Sequence, residues 1–180
     1  MSTLEKAARA YAEICRHTYN YTFDNGDVIS VRFCPNNFCH LAGLRKFDDL
    51  WEFQSQNGKP VYSAANIYKK ALKGEFSDYY LQTSKAYTQE AMDRIESFSR
   101  LKELLETDRA VYGFNKNIAP IVTRLKSNII LFRDEGFNFY LMLGLAEDGR
   151  TYYPETFFLR FDDAYIKGQK IVKIVNLEIL

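Results

Sequence analysis

The chain has 180 residues, 47% of them hydrophobic and 16% aromatic, with 24 basic against 23 acidic side chains and a net charge of +1. Such a composition lies far from the disordered range and can fill a sizeable core, so one domain over 1–180 is the simplest organisation. Near-neutral charge argues against coating nucleic acid through bulk charge, while a few cations in a local cleft could still hold phosphate.

No N-terminal apolar run reads as a signal peptide, and no stretch is long enough to span a bilayer. The three cysteines, Cys15, Cys34 and Cys39, are an odd number in a domain that needs no staples. Reduced thiols in a cytoplasmic protein without a membrane partner are expected.

Ser2 and Glu5 form a capping-box pattern, and Leu4, Ala8, Tyr11, Cys15 and Thr18 recur at helical spacing, predicting a helix over roughly 3–17. Period-two alternation follows at Tyr19, Tyr21 and Phe23, with a turn at Asn25-Gly26, then Ile29, Val31 and Phe33. A three-residue loop, Asn25 to Asp27, pairs Phe23 with Ile29 and Tyr21 with Val31. A two-residue Asn-Gly loop would put the apolar rows on opposite faces, so the longer loop is preferred.

Pro35-Asn36-Asn37 ends that hairpin, and the short apolar segment from Phe38 to Leu44 holds one of only two histidines. A short helix is expected over 47–53 and an exposed loop over 54–60. Ser63 caps a helix that Gly74 ends, and Ser77 caps another. Tyr80, Ser84, Tyr87, Ala91, Ile95, Phe98, Leu101 and Leu105 predict a long helix reaching almost to Thr107, with a break allowed near Thr83-Ser84.

Beyond Thr107 the pattern becomes that of strands, at 111–114, 128–133, 137–146, 152–159 and 171–177. Turns fall at Asp134-Glu135-Gly136 and at Glu147-Asp148-Gly149-Arg150. Short loops make the strands sequential and antiparallel, and the alternation of Phe137, Phe139, Leu141, Leu143 and Leu145 marks a central strand. The expected fold is therefore α+β: N-terminal helices with a β-hairpin over about 1–107, then an antiparallel sheet of about four strands over about 108–180.

Chemistry is sparse. Cys34, Cys39 and His40 lack zinc-ligand spacing, and adjacent Cys39 and His40 seldom place a base against a nucleophile. No phosphate-binding glycine motif occurs, so no cofactor is expected. Cleavage of RNA by its own 2′-hydroxyl needs no metal. It needs a proton acceptor, a proton donor and cations around the crowded phosphorane. His40, Lys126, Arg133, Tyr140, Tyr153 and Thr156 have side chains suited to those roles. Singly, each of the sheet residues reads better as an ordinary surface charge or satisfied hydroxyl, while His40 reads equally as a site residue or as a histidine capping an apolar turn.

The run Phe38-Cys39-His40-Leu41-Ala42-Gly43-Leu44 resembles the F-x-H-L-x-G-L signature of a phage and mobile-element family, the fourth phage branch of the barnase–EndoU–colicin E5/D–RelE-like nucleases. Tyr140-Leu141-Met142-Leu143 with Tyr153-Pro154-Glu155-Thr156-Phe157-Phe158 resembles that family's last hairpin, with its P-x-S/T-F-F element. The stretch from Ser63 through Gly74 to Ser77 resembles the part between. The resemblance implies a barnase/RelE-like fold and metal-independent endoribonuclease chemistry, with His40 as the family's histidine and Thr156 as its hydroxyl. Arg133 and Lys126 are added from chemistry and placement as phosphate-stabilising cations, and Tyr153 as a positioning group.

The expected function is thus a metal-independent endoribonuclease of phage or mobile-element origin, toxin-like, acting on RNA. The alternative is a catalytically inactive interaction module on the same fold that binds a protein partner or nucleic acid. A third reading is an antitoxin-like protein that masks a nuclease.

Overall fold

The structure, a computed structural model, describes residues 1–56, 58–118, 127–134 and 138–180, with only the backbone of residue 134. The elements are α1 (Thr3–Ile14), β1 (Thr18–Phe23), β2 (Val28–Arg32), α2 (Pro35–Leu41), β3 (Ser55–Gln56), β4 (Lys59–Pro60), α3 (Ala64–Leu72), α4 (Asp78–Gln82), α5 (Gln89–Glu96), α6 (Leu101–Leu105), β5 (Arg109–Tyr112), β6 (Ile129–Asp134), β7 (Asn138–Leu145), β8 (Thr151–Arg160) and β9 (Ile171–Ile179). They form two compact units, a helical one of Met1–Arg16 with Cys34–Leu101 and a barrel of His17–Phe33 with Lys102–Leu180.

In the helical unit, local capping chemistry sets the ends of the helices. Ser2, Ser63, Ser77 and Thr88 each accept a backbone N–H three residues on, satisfying donors that the first turn of a helix leaves unpaired. The long helix expected up to Thr107 is broken into α4, α5, a 3-10 turn and α6. Its break falls at 83–88, where the Ser84 hydroxyl and the Lys85 N–H turn aside to the Asp49 carboxylate. Side-chain spacing alone does not register that competitor for backbone donors.

The centre of the unit is aromatic. Tyr11 meets Phe38 at 5.5 Å, Tyr68 at 5.6 Å and Phe98 at 6.0 Å between ring centroids. The Tyr11 hydroxyl donates to the Cys34 carbonyl at 2.9 Å, fixing the start of α2 on α1. Phe38 is fully buried, which alone favours the folded state by roughly 1.5–3 kcal/mol.

The barrel corrects the sequence expectation. The C-terminal strands do not form an antiparallel sheet of about four strands. They join the N-terminal hairpin in a closed seven-stranded mixed barrel, in the order β1-β2-β8-β7-β6-β5-β9, with β9 pairing back onto β1. The α+β class stands. Neighbours are antiparallel except β2 and β8, which run parallel through Ser30↔Thr151 and Val31↔Tyr152. Closure removes the exposed edges that an open sheet would present. It depends on pairing residues more than a hundred positions apart, such as Tyr21 with Leu177.

Hairpin register is a second correction. Tyr21 pairs with Ile29 and Tyr19 with Val31, so the loop is 24–26 rather than Asn25 to Asp27. Gly26 takes the left-handed position at φ +87°. The two registers differ by two residues, and a two-residue slip preserves which side chains face inward. Tyr19, Tyr21, Phe23, Ile29 and Val31 are accordingly all buried.

β7 lies between β6 and β8 and is buried on both faces. Phe139, Leu141 and Leu143 share the inner face with Leu131 and Phe157. Tyr140 and Met142 face outward with Ile130, Phe132 and Phe158, and Tyr165 and Ile166 pack against them. The Tyr140 hydroxyl and the Asn138 amide both donate to the Asp162 carbonyl at 3.0 Å, pinning the covering segment. The expected turn at Asp134-Glu135-Gly136, like Phe137, falls on positions 135–137, outside the described residues.

Candidate functional site

The F-x-H-L-x-G-L segment lies in the helical unit, on α2 and the turn after it. Phe38, Leu41 and Leu44 are each at most 1% exposed, so their identity follows from packing. Gly43 has φ +71°, a backbone state that disfavours any Cβ. The half-buried Arg94 closes the helix end, its Nε donating to the Leu41 carbonyl at 2.7 Å and Nη2 to the His40 carbonyl at 3.3 Å. Burial pushes this guanidinium down to about 10, which still leaves it protonated near neutrality. Of the signature's named positions, only His40 is exposed. Packing does not explain an imidazole there.

The other expected residues belong to the barrel. Arg133 lies on β6 in register with Phe139, on the inner-face row of Leu131, and its Nη1 donates to the Glu103 carbonyl in α6 at 3.1 Å. Thr156 pairs with Met142 and Tyr153 with Gly144, which places both on the outer face. Register therefore brings Thr156 and Tyr153 onto the outer face of this wall and Arg133 onto its inner face. Lys126 lies outside the described residues. His40 belongs to the helical unit, whereas Arg133, Tyr153 and Thr156 belong to the barrel.

Two local irregularities shape the outer wall near Tyr153. Gly144 allows the Tyr153 ring to cross it closely, since a Cβ there would sit 2.7 Å from the ring carbon Cζ and 2.8 Å from the hydroxyl oxygen. The β7–β8 register shifts beyond Met142, so that Met142 faces Thr156 while Leu143 faces Pro154. Glu155 is the extra residue of this bulge, a device that re-aims a side chain out of the pleat. Its carboxylate accepts from the Ser127 hydroxyl.

Ser127 also lines a polar hollow of about 490 Å³ with Gly113, Phe114, Asn115, Lys116, Asn117 and Asn128. The Asn128 N–H bonds to the Leu143 carbonyl, continuing the β6–β7 register toward Gly144. Its Oδ1 is buried without a hydrogen-bond partner. Ser127, Lys116 and the amides of Asn115, Asn117 and Asn128 thus line one open hollow, and the Glu155 carboxylate meets it through Ser127. Sequence reasoning missed Glu155, Ser127 and Lys116. Glu155 stood inside the P-x-S/T-F-F element, but nothing in the sequence marked it as a bulge.

The described residues contain no group of three or more His, Cys, Asp or Glu side chains able to hold a metal ion, and no helix long and apolar enough to cross a membrane. No curated protein and no solved structure matches the chain. The exposed histidine of the α2 signature and the bulged β7–β8 hairpin fall within a family match that spans residues 3–177. The chain therefore belongs to the family described as phage-Barnase-EndoU-ColicinE5/D-RelE like nuclease4, a nuclease-like family of phage type.

Proposed function

We propose that this chain is a metal-independent endoribonuclease, and that the hollow on the barrel's outer wall is where it cuts. The observation that carries this reading is the bulge that turns Glu155 onto Ser127 at the edge of the hollow lined by Lys116. In that reading the Glu155 carboxylate takes the proton from the ribose 2′-hydroxyl. The 2′ oxygen attacks phosphorus, the bond to the 5′ oxygen breaks, and Lys116 supplies the proton to that leaving oxygen. The amides of Asn115, Asn117 and Asn128, with the Lys116 charge, offset the negative charge gathering on the phosphorane. Tyr153 and Thr156 position the sugar-phosphate along the wall. Arg133, which holds the Glu103 carbonyl, has no part in it.

The test is incubation with total RNA in EDTA, followed by end-group analysis. Cleavage leaving 2′,3′-cyclic phosphates is expected, as is resistance of a strand that is 2′-deoxy at the cut position. Glu155→Gln keeps the shape and the bond to Ser127 but removes the proton acceptor. It should lower the rate by about 10²–10⁴-fold. Wild-type cutting by Glu155→Gln would remove the assignment, and absence of any cleavage in EDTA would leave an interaction module on this fold. In a phage-type family such an activity fits a toxin-like role, read as growth arrest on induction of the wild type but not of Glu155→Gln.

A further inference from the structure

The helical unit contains a second cavity, of about 630 Å³, lined by residues that the nuclease reading does not use. Its volume lies within the roughly 300–1,000 Å³ typical of small-molecule sites. Cys39, Leu44, Phe53 and Ile67 form a buried, largely apolar floor. The Cys39 thiol donates to the Ala64 carbonyl at 3.3 Å, and burial pushes it up to about 12. It is a neutral part of the floor, neither nucleophile nor metal ligand.

The rim has the opposite character. Arg45 and Asp48, three residues apart around the turn that follows α2, both line the cavity and are both exposed. Neither makes an ion pair or a side-chain hydrogen bond among the described residues. Two opposite charges on one cavity that do not pair with each other are available to different parts of one ligand. Tyr62 and Gln54 complete the wall. Gln54 is held by its Nε2 bond to the Asp49 carbonyl at 3.3 Å, and the Tyr62 ring is backed by the Lys70 ammonium at 5.1 Å.

We infer that this cavity binds a free ribonucleoside 5′-monophosphate. The flat base lies on the floor between Phe53 and Ile67, Asp48 accepts from the ribose 2′,3′-diol, and Arg45 holds the 5′-phosphate. A carboxylate on the ribose diol and a guanidinium on phosphate are matched pairings. Diol and 5′-phosphate are close neighbours in the ligand, as Arg45 and Asp48 are on the chain. An α-amino acid could also satisfy one cation and one anion, but it would leave most of the cavity empty. An internal RNA nucleotide has its 3′-hydroxyl esterified and offers Asp48 no free diol, and a 3′-terminal one offers Arg45 only a singly charged diester. The free nucleotide, with its diol and its more highly charged monoester, is therefore the best match to both rim charges.

Calorimetric titration of the full chain with AMP, GMP, CMP and UMP tests this independently of any cleavage. Saturable binding of at least one is expected, weakened tenfold or more by removal of either the phosphate or the 2′,3′-hydroxyls. Arg45→Ala should abolish the preference for nucleotide over nucleoside and leave the preference for ribose over dideoxyribose. Asp48→Ala should do the reverse. Both positions are exposed, and unchanged thermal unfolding confirms that the variants are folded. No saturable binding at millimolar nucleotide overturns the inference. So does binding confined to RNA ends, or binding that neither variant weakens. Loss of RNA cleavage in Glu155→Gln with nucleotide binding intact separates this site from the nuclease reading.

Discussion

Replacing Gly43 with alanine tests why the α2 signature requires a glycine. The position has φ +71°, and holding an L-residue there costs roughly 1–2 kcal/mol. The added Cβ would also meet Arg94 Cδ at 3.2 Å, closer than ordinary contact by a few tenths of an ångström. Arg94 cannot withdraw freely, because its Nε bond to the Leu41 carbonyl at 2.7 Å would lengthen. Weakening one charge-assisted bond adds about 1–2 kcal/mol, for a total near 2–4 kcal/mol. Gly74→Ala provides the reference. It shares φ +71°, but its Cβ meets only the end of the flexible Glu5 side chain, so its cost should stay near the roughly 1–2 kcal/mol backbone term. Urea unfolding of Gly43→Ala, Gly74→Ala, Arg94→Ala and the Gly43→Ala/Arg94→Ala double variant measures each part. Truncating Arg94 relieves the clash, so the double variant should be less destabilised than the sum of the singles by about 1 kcal/mol. Additivity within about 0.3–0.5 kcal/mol, or equal costs for the two glycines, would refute the contact argument.

Further outcomes are expected elsewhere. His40→Ala removes an exposed side chain and should change unfolding stability by no more than about 0.5 kcal/mol, so any loss of RNA cleavage would be catalytic in origin. Cleavage at the wild-type rate is expected, because the proposed hollow is built from barrel residues alone, and a loss of about a hundredfold or more would refute that mechanism in favour of one that uses the histidine. Asp148 is held down to about 2 by the backbone N–H groups of Thr151 and Arg150. Its contribution to the β7–β8 turn is therefore present above the ordinary carboxylate range and lost as pH falls toward 2. An NMR titration midpoint near 4 for its carboxyl contradicts this. In the native protein at pH 8, Cys34, which is exposed, should alkylate readily while the buried Cys39 reacts only after unfolding. Comparable labelling of both by mass spectrometry would show that the cavity floor is open. Phe157→Ala removes a fully buried ring stacked on Phe139 and should cost about 3–5 kcal/mol in thermal or urea unfolding. A cost below about 1 kcal/mol would mean that the inner face of the barrel is loosely packed.

The sequence by itself determined what local chemistry controls. Ser2, Ser63 and Ser77 announced helix starts because a cap needs only its own next three residues. The alternation of Phe139, Leu141 and Leu143 announced a central strand because side chains alternate across any pleat. The His40 signature and the Pro154–Phe158 element identified the family. Tertiary structure alone decided the rest. Barrel closure rests on β9 meeting both β1 and β5, pairings whose partners carry no mark of each other in sequence. The hairpin register could slip by two because both settings bury the same rings, and in the barrel each strand of the hairpin is also paired on its other side, β1 with β9 and β2 with β8. Arg133 and Thr156 read alike as polar strand residues, yet register sets them on opposite faces of one wall. The bulge at Glu155, the hollow beside it and the cavity above Cys39 all arise from how distant backbone segments meet, a property of the packed chain rather than of any short stretch within it.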